Sequence, residues 1–163
     1  MSTHVAIVSW ARGEAVFTDR KYDRRHLWSF DGGADVAAAA SPANVRVPLT
    51  DPAGVDPEEA FAAAVSSCHM LWFLDFAARA GFRVDTYVDH AEAHCSKNAE
   101  GRDWVDRVVL RPEVVFSGDR PVTEEDVDAL HHQAHAACHI ANSVRSEIII
   151  DGSFWNASED VHD

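Results

Sequence analysis

Asp56-Pro57-Glu58-Glu59-Ala60-Phe61-Ala62-Ala63-Ala64-Val65-Ser66-Ser67-Cys68-His69-Met70-Leu71-Trp72-Phe73-Leu74-Asp75-Phe76-Ala77-Ala78-Arg79-Ala80-Gly81 reads as one long helix. Asp56 can accept hydrogen bonds from the first unpaired amides, and Pro57 suits the first helical position. Glu58 and Glu59 favour the positive end of the helix dipole. Arg79 and then Gly81 mark the far end. In between, Phe61, Val65, Met70, Leu71, Trp72, Phe73, Leu74 and Phe76 leave almost no polar face. A helix that is apolar all round is expected to be buried on all sides.

The segments after this helix alternate. Val84, Thr86 and Val88 interleave with polar residues, as a half-buried strand does. A turn at Asn98–Gly101 leads into an apolar stretch from Trp104 to Phe116, where Pro112 predicts an edge or a bulge. Thr123-Glu124-Glu125-Asp126 resembles a capping box. It predicts a second helix with Val127, Leu130, Ala134, Ala137/Cys138 and Ala141 on one stripe. A last strand is expected from Val144 to Ile150, with a frayed acidic tail over residues 152–163.

Before the long helix, Val5–Val8 and Ala15–Phe17 flank Gly13 in the manner of a hairpin. His26–Phe30 reads as a further strand, stopped by Asp31-Gly32-Gly33, and residues 37–48 read as a loop with a short extended piece. The order is strands, buried helix, strand pair, second helix, strand. It predicts a single α+β domain over residues 1–163 with a mainly antiparallel sheet and two main helices. The apolar helix needs more cover than so small a sheet and one other helix can provide, so a homodimer is expected.

The formal net charge of −13 argues against nucleic acid or an anionic membrane as a partner, because phosphate binding needs a basic face. No apolar run reaches the ~20 residues that span a bilayer. Met1-Ser2-Thr3-His4 does not begin like a signal peptide, so a cytoplasmic location is expected. The cysteines are Cys68, Cys95 and Cys138. An odd number without an export signal is not a structural disulfide framework; it leaves free thiols, a metal site or redox chemistry.

Cys68 and Cys138 both fall on predicted helices, and each is followed by a histidine, His69 and His139. Taken alone, each is equally readable as a small buried hydrophobe. Peroxide reduction would need a thiolate, a cation to polarise the peroxide, and a second thiol to trap the sulfenic acid. Apolar walls such as Met70, Trp72 and Phe73 would favour an alkyl peroxide over hydrogen peroxide.

Asp56-Pro57-Glu58-Glu59 through Ser66-Ser67-Cys68, with the glutamate ten residues before the cysteine, resembles the helix of the OsmC/Ohr family (osmotically inducible protein C and organic hydroperoxide resistance proteins). Ala134-His135-Ala136-Ala137-Cys138-His139-Ile140-Ala141-Asn142-Ser143 is similar to that family's second-cysteine segment. The likeness extends from Tyr22 to Ile150. It implies an OsmC-like fold, an intertwined homodimer with active sites at the subunit interface, and reduction of organic hydroperoxides. By position, it makes Cys68 the peroxidatic thiol, Cys138 the resolving thiol, and Glu58 the acid that orients a catalytic arginine. Arg24 matches the family's arginine in the N-terminal strands; Arg46 matches the alternative in the loop before the helix. An arginine fork can bind a carboxylate and a peroxide oxygen together. Ten residues of helix rise about 15 Å, so Glu58 cannot reach Cys68 along its own helix, and delivery across a dimer interface removes the conflict. No bound cofactor is implied; the reductant would be an external dithiol such as a lipoyl group. His139 stands where many members have proline, and His69 where an aromatic is frequent, which marks a divergent branch.

Other residues carry blander readings. Cys95 matches no family position and reads as structural. His131 and His135 share a helix face, but no third ligand or HExxH-type acid accompanies them, so a solvated or interface-polar face is expected rather than a metal site. His69 and His139 either add positive charge near the thiols or are hydrogen-bonded core histidines. Two other functions fit the same residues: a non-catalytic redox sensor or binding protein, and a Cys/His or metal-dependent hydrolase. The hydrolase would need a partner histidine from elsewhere, because neighbours on a helix diverge by about 100°.

Overall fold

The computed structural model describes residues 2–157, which fall in two compact units, Met1–Ala60 and Phe61–Asp163. The first unit holds a three-stranded antiparallel sheet in the order β1 (Ala6–Ser9), β2 (His26–Phe30), β3 (Asp35–Ala38). The expected hairpin partner of β1, Ala15–Phe17, is not a strand; β1 pairs with β2 instead. Phe17 and Arg20 adopt left-handed backbone conformations that no ladder accommodates, and Arg20 N–H closes a turn on the Phe17 carbonyl. β3 begins earlier than the extended piece expected near residue 37. Its end lies against residues 54–55: Ala38 bridges to Val55, and a Cβ on Gly54 would come within 2.8 Å of the Ala39 Cβ. Only glycine allows that approach.

Helix α1 (Pro57–Arg79) has the expected bounds. Its start is a reciprocal cap: the Glu59 amide donates to Asp56 Oδ1 at 2.8 Å, and the Asp56 amide donates to Glu59 Oε2 at 3.0 Å. Burial runs along one stripe, Ala62, Val65, His69, Phe73 and Ala77, rather than all round; Leu71 on the same helix is 61% exposed. By length and composition, with a mean hydropathy of 1.4, α1 is also the one helix among the described residues that could cross a membrane, contrary to the expectation that no run is long enough. Its buried stripe is that of a core helix.

The second unit builds two further three-stranded sheets. One has the order β4 (Arg83–Asp89), β7 (Pro112–Ser117), β9 (Ser153–Asn156); the other β5 (Glu92–Lys97), β6 (Asp103–Leu110), β8 (Glu147–Ile150). The stretch expected as continuous from Trp104 to Phe116 breaks at Arg111 into β6 and β7, which belong to different sheets. Pro112 opens β7, where its missing N–H is tolerated. β5 is absent from the sequence reading because Glu92-Ala93-His94-Cys95 has too little apolar alternation. The pairs β4–β7 and β5–β6 are antiparallel, while β6–β8 and β7–β9 are parallel. Parallel neighbours need a long crossover, and α2 (Glu124–Ala137) lies within it.

The tail expected to fray from residue 152 is instead β9 as far as Asn156; residues 158–163 lie outside the described residues. Phe154 packs on Phe116, and Asn156 exchanges hydrogen bonds with the backbone of Val122. A Cβ on Gly152 would come within 2.7 Å of Pro112, so glycine is what lets the chain turn into β9. Two apolar clusters hold this unit. Phe73 and Ala77 of α1 pack with Val114, Phe116, Val127, Leu130 and Ala134, and Val65 packs with Val108 and Leu110. The result is an α+β architecture with two main helices and mixed sheets.

Candidate functional site

Cys68 lies mid-way along α1 and is half-buried. Cys138 is fully buried. The sequence places Cys138 inside the second helix; in the structure α2 stops at Ala137 and Cys138 is its C-cap, in extended conformation. Its amide still donates to the Ala134 carbonyl, but its own carbonyl is turned toward a 3-10 turn over Ala141–Ser143, where it accepts from the Asn142 amide at 3.0 Å. The side chain of Asn142 clamps the same carbonyl and that of Ala136. The Cys138 Sγ accepts from the Ala141 amide at 3.4 Å.

The two thiols meet. Cys68 and Cys138, 70 positions apart, are close enough to influence one another electrostatically. Burial first, and then the neighbouring Cys68 thiol, push the Cys138 thiol up to about 11, against a smaller opposing pull from the Ala141 amide. Cys138 is therefore a protonated thiol near neutral pH. Trp72 stands beside this pair, stacked on Phe76 and touching the exposed His139 edge-on at 5.9 Å between ring centroids. Ser66, two residues before Cys68, commits its hydroxyl to Asp89 of β4 at 2.5 Å, and the other Asp89 oxygen accepts from the Arg111 amide.

His69 and His131 are the unforeseen part of this region. The sequence reading leaves His69 open and puts His131 on a solvated or interface-polar face. The structure buries both and joins His69 Nε2 to His131 Nδ1 at 3.0 Å, with nearly parallel rings. Burial lowers each to about 4, so the pair is neutral at physiological pH and adds no positive charge to the thiol site. His135, four residues after His131 on α2, keeps a buried Nδ1 without a hydrogen-bond partner. Among the described residues, no group of three or more His, Cys, Asp or Glu side chains is placed to hold a metal ion. The signal that could have found the histidine pair is slight: His131 falls between Val127 and Ala134 on the buried stripe of α2.

The first unit carries the other family positions. Arg24 lines a cavity of about 410 Å³ with Trp10, Phe17, Tyr22, His26 and Pro57. Its guanidinium sits 3.8 Å over the Tyr22 ring and donates to the Tyr22 carbonyl, and its backbone amide is pinned to the Leu49 carbonyl. The rings of Trp10, Phe17 and Tyr22 contact one another, and Trp10 Nε1 donates to the Asp23 carbonyl at 2.7 Å. Arg25 is paired with Asp23, whose carboxyl it holds below the usual carboxylate range. Arg46 is exposed on its loop. Glu58 is half-buried beside Pro57, and the capping work falls to Glu59, so Glu58 is not consumed by the helix start. Cys95 is exposed on β5, in a register shift of the β5–β6 pair, and forms no disulfide. The aromatic cavity could not be read from sequence, because the loop that forms it has no period.

Comparison with known proteins identifies the fold and the family. An OsmC-like protein of unknown function from Vibrio cholerae is 50% identical, covers 94% of this chain and 100% of its own, and superposes with a TM-score of 0.91. An organic hydroperoxide resistance protein from Elizabethkingia anophelis is 17% identical over 96% of this chain and 98% of its own, with a TM-score of 0.66. The organic hydroperoxide resistance protein OhrB of Bacillus subtilis is 16% identical over 94% and 98%, with a TM-score of 0.60; these two share the fold. No curated protein matches the chain. The OsmC-like protein family matches residues 50–152, a span that contains Glu58, Cys68 and Cys138, and the chain belongs to that family.

Proposed function

We propose that the chain is a two-cysteine thiol peroxidase that reduces organic hydroperoxides to alcohols. The observation that carries this reading is the meeting of a half-buried thiol, Cys68, with a buried one, Cys138, that stays protonated near neutral pH. The Cys68 thiolate attacks the terminal peroxide oxygen. An S–O bond forms, the O–O bond breaks, and the departing alkoxide takes a proton to become the alcohol. Cys68 is then a sulfenic acid. The Cys138 thiol gives up its proton and its sulfur attacks the Cys68 sulfur; hydroxide leaves with that proton as water, and a disulfide remains. An external dithiol, such as a lipoyl group, returns two electrons and two protons and restores both thiols.

Arg24 and Glu58 are the proposed polarising pair, with the arginine binding the peroxide oxygen and the glutamate orienting the arginine. The apolar cavity beside Arg24 supports an organic rather than an inorganic peroxide. The proposed assembly is a homodimer, which would cover the open face of α1 around Leu71. The reaction would run in the cytoplasm, without bound metal or cofactor and without nucleic acid or membrane as a partner. Relatives named for organic hydroperoxide resistance support the substrate class.

The test is peroxide consumption with a dithiol reductant, comparing an aryl hydroperoxide with hydrogen peroxide. Wild type should turn over the organic substrate faster. Cys68→Ser should lose turnover altogether. Cys138→Ser should react once and then accumulate sulfinic acid on Cys68, visible by intact mass. Equal, slow consumption by wild type and Cys68→Ser would overturn the reading.

A further inference from the structure

We infer that the buried His69–His131 hydrogen bond is a positioning device that keeps Cys68 and Cys138 in register for disulfide formation; this rests on the peroxidase reading above. His69 directly follows Cys68 on α1, and His131 lies two turns before Cys138 on α2. The segments also meet through the thiol pair, the ring contacts Trp72–His139 and Phe73–His131, and the apolar packing of Phe73 and Ala77 against Val127, Leu130 and Ala134. Apolar and ring contacts are weakly directional, so they hold the helices together without fixing a single register as sharply as a hydrogen bond does. The 3.0 Å bond from Nε2 to Nδ1 is directional and weakens steeply when misaligned. A disulfide is equally demanding, since its Cα atoms must stand within about 4.4–6.8 Å and its dihedral near 90°.

The burial of this pair needs a reason. Phe73, Val127, Leu130 and Ala134 surround that part of the core, and an apolar pair of the same volume would fill it without desolvating two imidazoles. A buried polar pair whose facing atoms bond each other selects one arrangement. Both histidines are neutral, so one N–H donates and one nitrogen accepts, and no charge is stranded. His131 also lines a cleft with Val127, Asp128, Ile150, Asp151 and Gly152, which makes its ring reachable by small solutes.

The test oxidises the full-length protein with one equivalent of cumene hydroperoxide and measures by intact mass how Cys68 sulfenic acid divides between disulfide and sulfinic acid. His131→Leu should still consume the first peroxide at the wild-type rate, with the disulfide-to-sulfinic ratio reduced roughly fivefold to tenfold, as one hydrogen bond allows. His131→Asn, which places a polar atom where Nδ1 stands, should restore most of the ratio. So should imidazole added to His131→Ala. Should His131→Leu not fold, His69→Leu/His131→Leu strands no polar group and carries the same readout. An unchanged ratio in the leucine variants, or an asparagine variant that behaves like leucine, overturns the inference alone. Oxidised wild type without any Cys68–Cys138 disulfide overturns the peroxidase reading together with it.

Discussion

The two helices that bring the thiols together are built by opposite means. α1 is apolar and long, carries its cysteine mid-helix, and is held by burial of Val65, Phe73 and Ala77. α2 is polar and short, and ends on its cysteine. It is held by a narrow stripe and by its caps, with Thr123 and Asp126 exchanging side-chain and backbone bonds at the start. The difference shows in the thiols. Cys68 has its backbone locked inside a helix and its sulfur half-open. Cys138 sits where the helix has ended, so its backbone can bend and its sulfur is sealed. The proposed attacking position is thus rigid and approachable, while the proposed resolving position is buried and next to a turn.

Three measurements would break or sharpen this contrast. The largest effect should come from α1: Phe73→Ala removes a fully buried ring in contact with Tyr87, Phe116 and His131, and should cost about 3–5 kcal/mol in denaturant unfolding. A loss near zero would mean that burial does not hold α1.

Acid should act on a similar scale, through the bond that joins the helices. His69 and His131 have folded values lowered to about 4 from 6.5, so the unfolded chain binds protons more readily. Their contribution is full above about pH 6.5 and is lost as pH falls toward 4. Stability should drop on the order of 2–3 kcal/mol per histidine over that window, and His69→Leu/His131→Leu should flatten the upper part, between pH 6.5 and 5. An identical slope in that variant would remove the histidines from the account. The smallest effect should come from the start of α2, where Thr123→Ala should cost about 1 kcal/mol by breaking one half of the capping box. A much larger loss would show that α2 depends on its cap more than on its stripe.

The legible parts of the chain are those with local chemistry. The start of α1 was readable because Asp56, Pro57 and Glu59 do their work within one turn, and the start of α2 because Thr123 and Asp126 do the same. β2 was readable from the Asp31-Gly32-Gly33 turn that ends it, and β4 from alternation. Where reading failed, the deciding contact was distant. β9 exists because β7 offers it an edge and Gly152 can lie against Pro112; neither is visible in Ser153-Phe154-Trp155-Asn156. Trp104–Phe116 looked like one strand because nothing local announces that its halves enter different sheets. His131 read as polar surface because a histidine's partner, here 62 residues earlier, decides whether its ring can be buried.

By itself, the sequence determined two helices, their caps, the α+β class and the segments that mark the OsmC-like family, because periodicity, capping and motif spacing are properties of neighbouring residues. Only the tertiary structure decided that Cys138 leaves its helix to meet Cys68, that two histidines join beneath them, and that Trp10, Phe17, Tyr22 and Arg24 enclose a cavity. Each of these depends on which distant groups exclude water from one another, and no local pattern specifies that.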